Sequence, residues 1–159
     1  MYEIERGARI LLTEGSVFPP PLWTPDSKAV VFGWSESGEL NLYRQAVDGT
    51  SRKERLTTSE YSQRPASWSR DGSSLVFVEI RPESDGDIAL LDLRSGRTAP
   101  LLNSPANEAW PYLSPDGHWL AYTSDESKRP EVFVRSFADG GGRVQISTRG
   151  GTDPAWSRD

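Results

Sequence analysis

A short segment recurs in register along this chain. Trp23-Thr24-Pro25-Asp26-Ser27, Trp68-Ser69-Arg70-Asp71-Gly72 and Leu113-Ser114-Pro115-Asp116-Gly117 stand at 45-residue steps, and Trp156-Ser157-Arg158-Asp159 opens a fourth copy 43 residues later. A period of about 40–45 residues is that of a four-stranded propeller blade. The spacing therefore predicts an all-β fold, a β-propeller segment of four-stranded antiparallel blades with about 3.5 repeats. A β-sandwich is the competing all-β architecture, and it gives no reason for a fixed period of this length.

Each repeat divides into four extended pieces. The first carries the Trp and a nearby Pro (Pro21-Leu22-Trp23, Pro65-Ala66-Ser67-Trp68, Pro111-Tyr112-Leu113, Pro154-Ala155-Trp156), with Pro expected at the start of the strand, where no ladder N–H is needed. The Asp-containing turn follows, its Asp bonding the downstream backbone and its Gly accepting φ > 0. Next comes the most apolar strand: Ala29-Val30-Val31-Phe32, Leu75-Val76-Phe77-Val78, Trp119-Leu120-Ala121-Tyr122. A strand apolar on both faces is buried on both, as in blades stacked face to face. Asn41-Leu42-Tyr43-Arg44, Asp87-Ile88-Ala89-Leu90 and Glu131-Val132-Phe133-Val134 form the third strand, closed by Asp48-Gly49, Ser95-Gly96 and Asp139-Gly140. Leu56, Leu101 and Ile146 mark the outer strand, and Leu12 falls 44 residues before Leu56. No stretch carries a helical apolar stripe free of Gly and Pro.

The blades are expected at residues 16–59, 60–104 and 105–149. Residues 2–13 read as two outer strands of a partial blade, and residues 150–159 as the inner strand of another. Rings close with about four to eight blades. Open end blades would expose apolar faces and strand edges. The chain is then a fragment of a longer protein, a strained ring closed within one chain, or, the expectation favoured here, a homo-oligomer in which a second copy completes the ring.

Composition narrows the partners. The net charge is −5, with no basic stripe, so nucleic acid is not expected as a partner. Arg52-Lys53-Glu54-Arg55 reads as a solvated strand edge. There is no Cys, hence no disulfide and no thiolate metal site. No apolar run nears the roughly 18 residues of a spanning helix, so no direct membrane insertion is expected. Met1-Tyr2-Glu3-Ile4-Glu5-Arg6 does not read as a signal peptide.

No catalytic, cofactor or metal residue stands out. His118, the one histidine, occupies a turn position held by Lys28 and Ser73 in the other repeats, which reads as solvated. Asp26, Asp71, Asp116 and Asp159 repeat with the turns, and a lone carboxylate per turn falls short of a calcium shell. Glu79, Glu83, Asp85 and Asp87 lie in or beside a polar loop with no fixed carboxylate pair. No Gly-x-Ser-x-Gly elbow occurs, and Gly140-Gly141-Gly142 lacks the Lys-Ser/Thr of a phosphate loop. Among the aromatics, Trp23, Trp68 and Trp156 recur and are expected in the packing between blades. Trp34 and Trp110 do not recur in this way and, with Tyr61, are the candidate partner or ligand contacts at a rim.

The Trp-Ser-Pro-Asp-Gly turn, the apolar strand after it and the Asp-Gly…Leu-Thr close resemble TolB-type, WD-repeat-like bacterial propellers over nearly the whole chain. Residues 124–137 and 141–159, with Pro130-Glu131-Val132-Phe133-Val134-Arg135-Ser136-Phe137 and Gly151-Thr152-Asp153-Pro154-Ala155-Trp156-Ser157, are similar to the propellers fused to bacterial serine/threonine kinases. The resemblance implies a non-catalytic protein-interaction or sensing module, often outside the cytoplasm. Two other functions stay open: the gating or substrate-binding propeller of a larger hydrolase or peptidase, and a carbohydrate-binding propeller.

Overall fold

A computed structural model describes residues 2–3, 8–9, 14, 16–48 and 52–157. The alignments that rest on Leu12, Gly49, Arg158 and Asp159 lie outside the described residues. All described regular structure is β. Strands β1 (Tyr2–Glu3) and β2 (Ala8–Arg9) form a two-stranded antiparallel ladder. Three four-stranded antiparallel sheets follow. The first holds β3 (Ser16–Trp23), β4 (Ala29–Ser35), β5 (Asn41–Ala46) and β6 (Glu54–Arg55). The second holds β7 (Ser62–Trp68), β8 (Ser74–Ile80), β9 (Asp87–Asp92) and β10 (Arg97–Leu102). The third holds β11 (Glu108–Leu113), β12 (Trp119–Ser124), β13 (Glu131–Ser136) and β14 (Val144–Gln145). Each is an up-and-down meander in sequence order, the blade form that the repeat predicts.

Alternation explains why the blades stack. Along β8, Leu75 and Phe77 pack with Leu91 against Val31 and Leu42 of the first sheet. Val76, on the opposite face, packs with Ile88 against Leu113, Leu120, Tyr122 and Phe133 of the third. A strand with period-two geometry and apolar residues in both phases feeds two cores at once. Tyr122 and Phe133 stack at 5.8 Å between centroids, in the second core.

The recurrent Trp binds blade to blade through its polar edge. The Trp68 indole N–H donates to the Trp23 carbonyl at 2.6 Å, and that of Trp156 donates to the Tyr112 carbonyl at 2.9 Å. Each ring thus reaches back onto the preceding inner strand. Trp68 packs against the first core, as expected. Trp23 does not share that burial and is 48% exposed. Among the described residues no four-stranded sheet precedes β3. Residues 150–157 carry no ladder. They are tied instead by Gly151 N–H to the Pro130 carbonyl (3.0 Å) and Gly150 N–H to Glu131 Oε1 (2.9 Å).

The repeated turn is one hydrogen-bonded device built three times. Thr24, Ser69 and Ser114 each donate a hydroxyl to the carboxylate two residues on. Each also accepts the N–H five residues on, from Ala29, Ser74 and Trp119. Asp26, Asp71 and Asp116 in turn accept from the N–H groups of Lys28, Ser73 and His118. The Ser69 hydroxyl, then the Ser73 N–H and hydroxyl, lower the Asp71 pKa to about 2. Thr24 and Ser114 lower Asp26 and Asp116 in the same way. A depressed native pKa adds stability that is complete above the unfolded value and disappears as pH falls through the native one. Asp71→Asn is therefore expected to flatten part of the fall in denaturant midpoint between pH 3.8 and about 2. An unchanged slope in that window would show that this turn charge contributes nothing to acid stability.

Candidate functional site

The inner strands β3, β7 and β11 each carry proline inside the strand rather than at its start, which corrects the sequence expectation. The innermost strand of a blade has one unpaired edge, so a missing N–H on that edge breaks no ladder bond. Each also has a register shift at its proline: between Phe18 and Leu22, between Pro65 and Ser67, and between Ala109 and Tyr112. Bulges re-aim side chains and raise local twist. Pro21, Arg64, Pro65, Trp110, Pro111 and Tyr112 line one recess of about 90 Å³ where the three inner strands converge, Trp110 and Pro111 from within a bulge.

Trp110 sits at the centre of this arrangement. It lies within β11 and has φ +53°. A bulky residue in the left-handed region costs of order 1–3 kcal/mol and persists only when its surroundings impose it. The Arg64 guanidinium carbon stands 4.3 Å from the Trp110 ring centroid. Burial pulls Arg64 below the usual guanidinium value, opposed by Tyr112 and Asp153. The Tyr112 hydroxyl donates to Asp153 Oδ1 at 3.3 Å, and burial, with Asp153 adding to it, raises the phenol. The result is a half-buried patch with an aromatic face, a five-donor fork and a phenol, all on rigid strands.

Trp34 and Tyr61 do not line this recess. Trp34 is near the end of β4, its indole N–H bonded to the Glu14 carbonyl at 2.5 Å, its ring 5.0 Å from Tyr43 and 3.6 Å from the Lys53 ammonium. Tyr61 precedes β7 and lies 4.7 Å under the Arg81 guanidinium, which Glu79 (2.6 Å) and Asp87 (3.1 Å) also hold. So the three candidate aromatics fall in separate places, each under a cation. Sequence reading missed Arg64 and Tyr112. The signal was the x-Pro step of the inner strands, Arg64-Pro65 and Trp110-Pro111, of which Trp110 lies inside its bulge and Arg64 keeps its ladder partner Val78.

His118 is exposed, its Nδ1 3.1 Å from Asp116 Oδ2 within its own turn. Among the described residues no group of three or more His, Cys, Asp or Glu side chains is arranged to hold a metal. A wedge of about 560 Å³ opens between the first two sheets beside Trp68, with Lys28, Arg44 and Arg52 set against Asp26, Glu54 and Asp71. Arg44 and Glu54 pair there at 2.8 Å.

No protein-family model matches the chain. Among solved structures it is similar to TolB from Acinetobacter baumannii, with TM-score 0.74 at 24% identity over 87% of this chain and 34% of that one. A putative TolB from Agrobacterium tumefaciens gives 0.70 at 23% identity over 79% and 44%. The fold is that of a TolB-type β-propeller. A prolyl endopeptidase structure shares it at TM-score 0.71 and 18% identity, over 92% of this chain and 24% of that one. In sequence, the chain is 24% identical to the uncharacterized peptidase YuxL of Bacillus subtilis, over 84% of its own length and 27% of that protein. It is 31% identical to the TolB homolog of Chlorobaculum tepidum over 54% and 19%. The chain spans less than half the length of each of these relatives.

Proposed function

We propose that this chain is a non-catalytic binding module that takes an extended peptide segment of a protein partner on its inner-strand surface. The observation that carries the reading is the Arg64–Trp110–Tyr112 patch, held on a backbone that is strained at Trp110. Bulky residues held in such backbone conformations cluster at ligand clamps and active sites, which motivates the reading. Prolines and a Trp face give sequence-tolerant contact area, and the Arg fork reads peptide carbonyls or a carboxylate.

The third sheet supports contact with a further sheet. Its far face leaves Trp119 44%, Val144 58% and Ile146 59% exposed. In the second sheet, the equivalent face, with Val76 and Ile88, seats the third. The face suits another blade, from this protein or from a second copy. The peptidase relatives favour a second reading, the propeller of a larger hydrolase, in which the same patch would bind substrate peptide.

A displayed random-peptide library provides the probe. Peptides selected on the wild-type chain are expected to lose about tenfold or more in affinity on Arg64→Ala and on Trp110→Ala, which is about 1.4 kcal/mol each. His118→Ala should bind as wild type. Selected peptides indifferent to both inner-strand variants would overturn the proposal. So would a tryptophan emission change with oligosaccharides and none with peptides.

A further inference from the structure

Glu108 opens β11 and is 3% exposed. The Ser104 hydroxyl donates to its Oε1, while its Oε2 is buried with no hydrogen-bond partner. A buried carboxylate with an orphaned oxygen is costly, and the protonated form is far less so. The surroundings add like charge. Asp87, at the start of β9, faces it, although Arg81 and Ser84 hold that carboxylate. Glu126 also faces it, ion-paired to Arg143. Asp125 accepts the N–H of the neighbouring Asn107 at 2.9 Å.

The repeat supplies an internal comparison. Gln63 stands 45 residues earlier, in the same place on β7, and is 2% exposed. Its Oε1 accepts from Thr57, and its amide donates to Glu79 Oε2 at 2.8 Å. Residue 124, the counterpart of Glu79, is Ser. The third sheet has therefore exchanged a satisfied amide for a carboxyl that can gain or lose a proton.

The place is a junction. The Glu108 N–H donates to the Gly86 carbonyl at 2.8 Å, which ties the start of β11 to the β8–β9 loop of the preceding blade. We propose that Glu108 is a proton-operated latch between the second and third blades: protonated, it lets the 103–108 connection seat against the β8–β9 loop, and ionised, it loosens that connection. Burial raises its pKa, with Asp87 and Glu126 adding to the rise and Ser104 opposing it. A raised native carboxyl pKa means that the native state binds more protons, so stability falls as pH rises from the unfolded toward the native value. The latch needs no assumption about what the inner strands bind.

The test follows the denaturant midpoint of the whole chain from pH 4.5 to neutral, with amide exchange at Asn107 and Glu108. In the wild type the midpoint should fall across this range, and exchange of these two amides, corrected for intrinsic rates, should speed several-fold more than that of Phe133. Glu108→Gln should remove the slope and the extra local exchange. Ser104→Ala, which leaves the carboxyl in place, should steepen the wild-type slope. A Glu108→Gln profile parallel to wild type, or a Glu108 carboxyl carbon titrating at an ordinary value by NMR, would overturn the latch.

Discussion

Phe77→Ala is expected to lower folding stability by about 3–5 kcal/mol, the range for a buried large aromatic whose cavity cannot collapse. Phe77 is 1% exposed and sits in β8, an internal strand of the middle sheet. It belongs to the core formed with Val31 and Leu42 of the first sheet and Leu75 and Leu91 of its own. Those neighbours are fixed by two ladders and an adjoining core, so the sheets cannot slide together to fill the space. Phe77→Leu should cost less than half as much, because it keeps most of the buried area. Chemical denaturation with an unchanged m-value measures both. Amides of β4 and β5 should lose more protection than those of β13, because Phe77 belongs to the core shared with the first sheet and not to the one shared with the third. A loss under 1 kcal/mol would show that the first two blades do not bury a common core.

Blade architecture could be read from the sequence because it depends on faces that repeat. Val30, Leu75 and Leu120, and likewise Phe32, Phe77 and Tyr122, keep their phase over 45 residues, and all six are buried. The turn carboxylates were equally readable, since their partners lie within five residues. What period-two reasoning could not reach are the places where the period breaks. A bulge turns a side chain onto the other face with no change in composition. Trp110 lies inside such a bulge, so alternation does not place it beside Arg64 of the neighbouring inner strand, which keeps its ladder partner Val78; Trp34 and Tyr61 lie beneath cations elsewhere. Trp23 illustrates the complementary miss. Its repeat position predicts burial, yet the ring is 48% exposed, with no four-stranded sheet before β3 among the described residues.

Gly86 shows the same limit, and it yields the second large effect. It belongs to Arg81-Pro82-Glu83-Ser84-Asp85-Gly86, which reads as a solvated loop. In the fold it is buried under the connection to the third blade. Its φ lies outside the left-handed region, so its conformation alone would admit alanine. Space does not: a Cβ there would stand 2.8 Å from the Glu108 backbone oxygen and 2.8 Å from Asn107 Oδ1. One of these is main chain, held in place by the Glu108 N–H bond to the Gly86 carbonyl at 2.8 Å. Gly86→Ala should therefore push the blades apart at this junction and cost about 1–3 kcal/mol, as overpacking does. Gly96→Ala is the matched comparison. That glycine has φ +68° and open space around it, so alanine there bears only the left-handed cost of about 1–2 kcal/mol, with no effect between blades. The two variants separate by location as well as size. Gly86→Ala should expose the Glu108 amide to exchange and weaken the junction of the second and third blades, whereas Gly96→Ala should perturb only its own hairpin. If Gly86→Ala leaves both the midpoint and the Glu108 amide unchanged, the close approach that joins the two blades there is wrong.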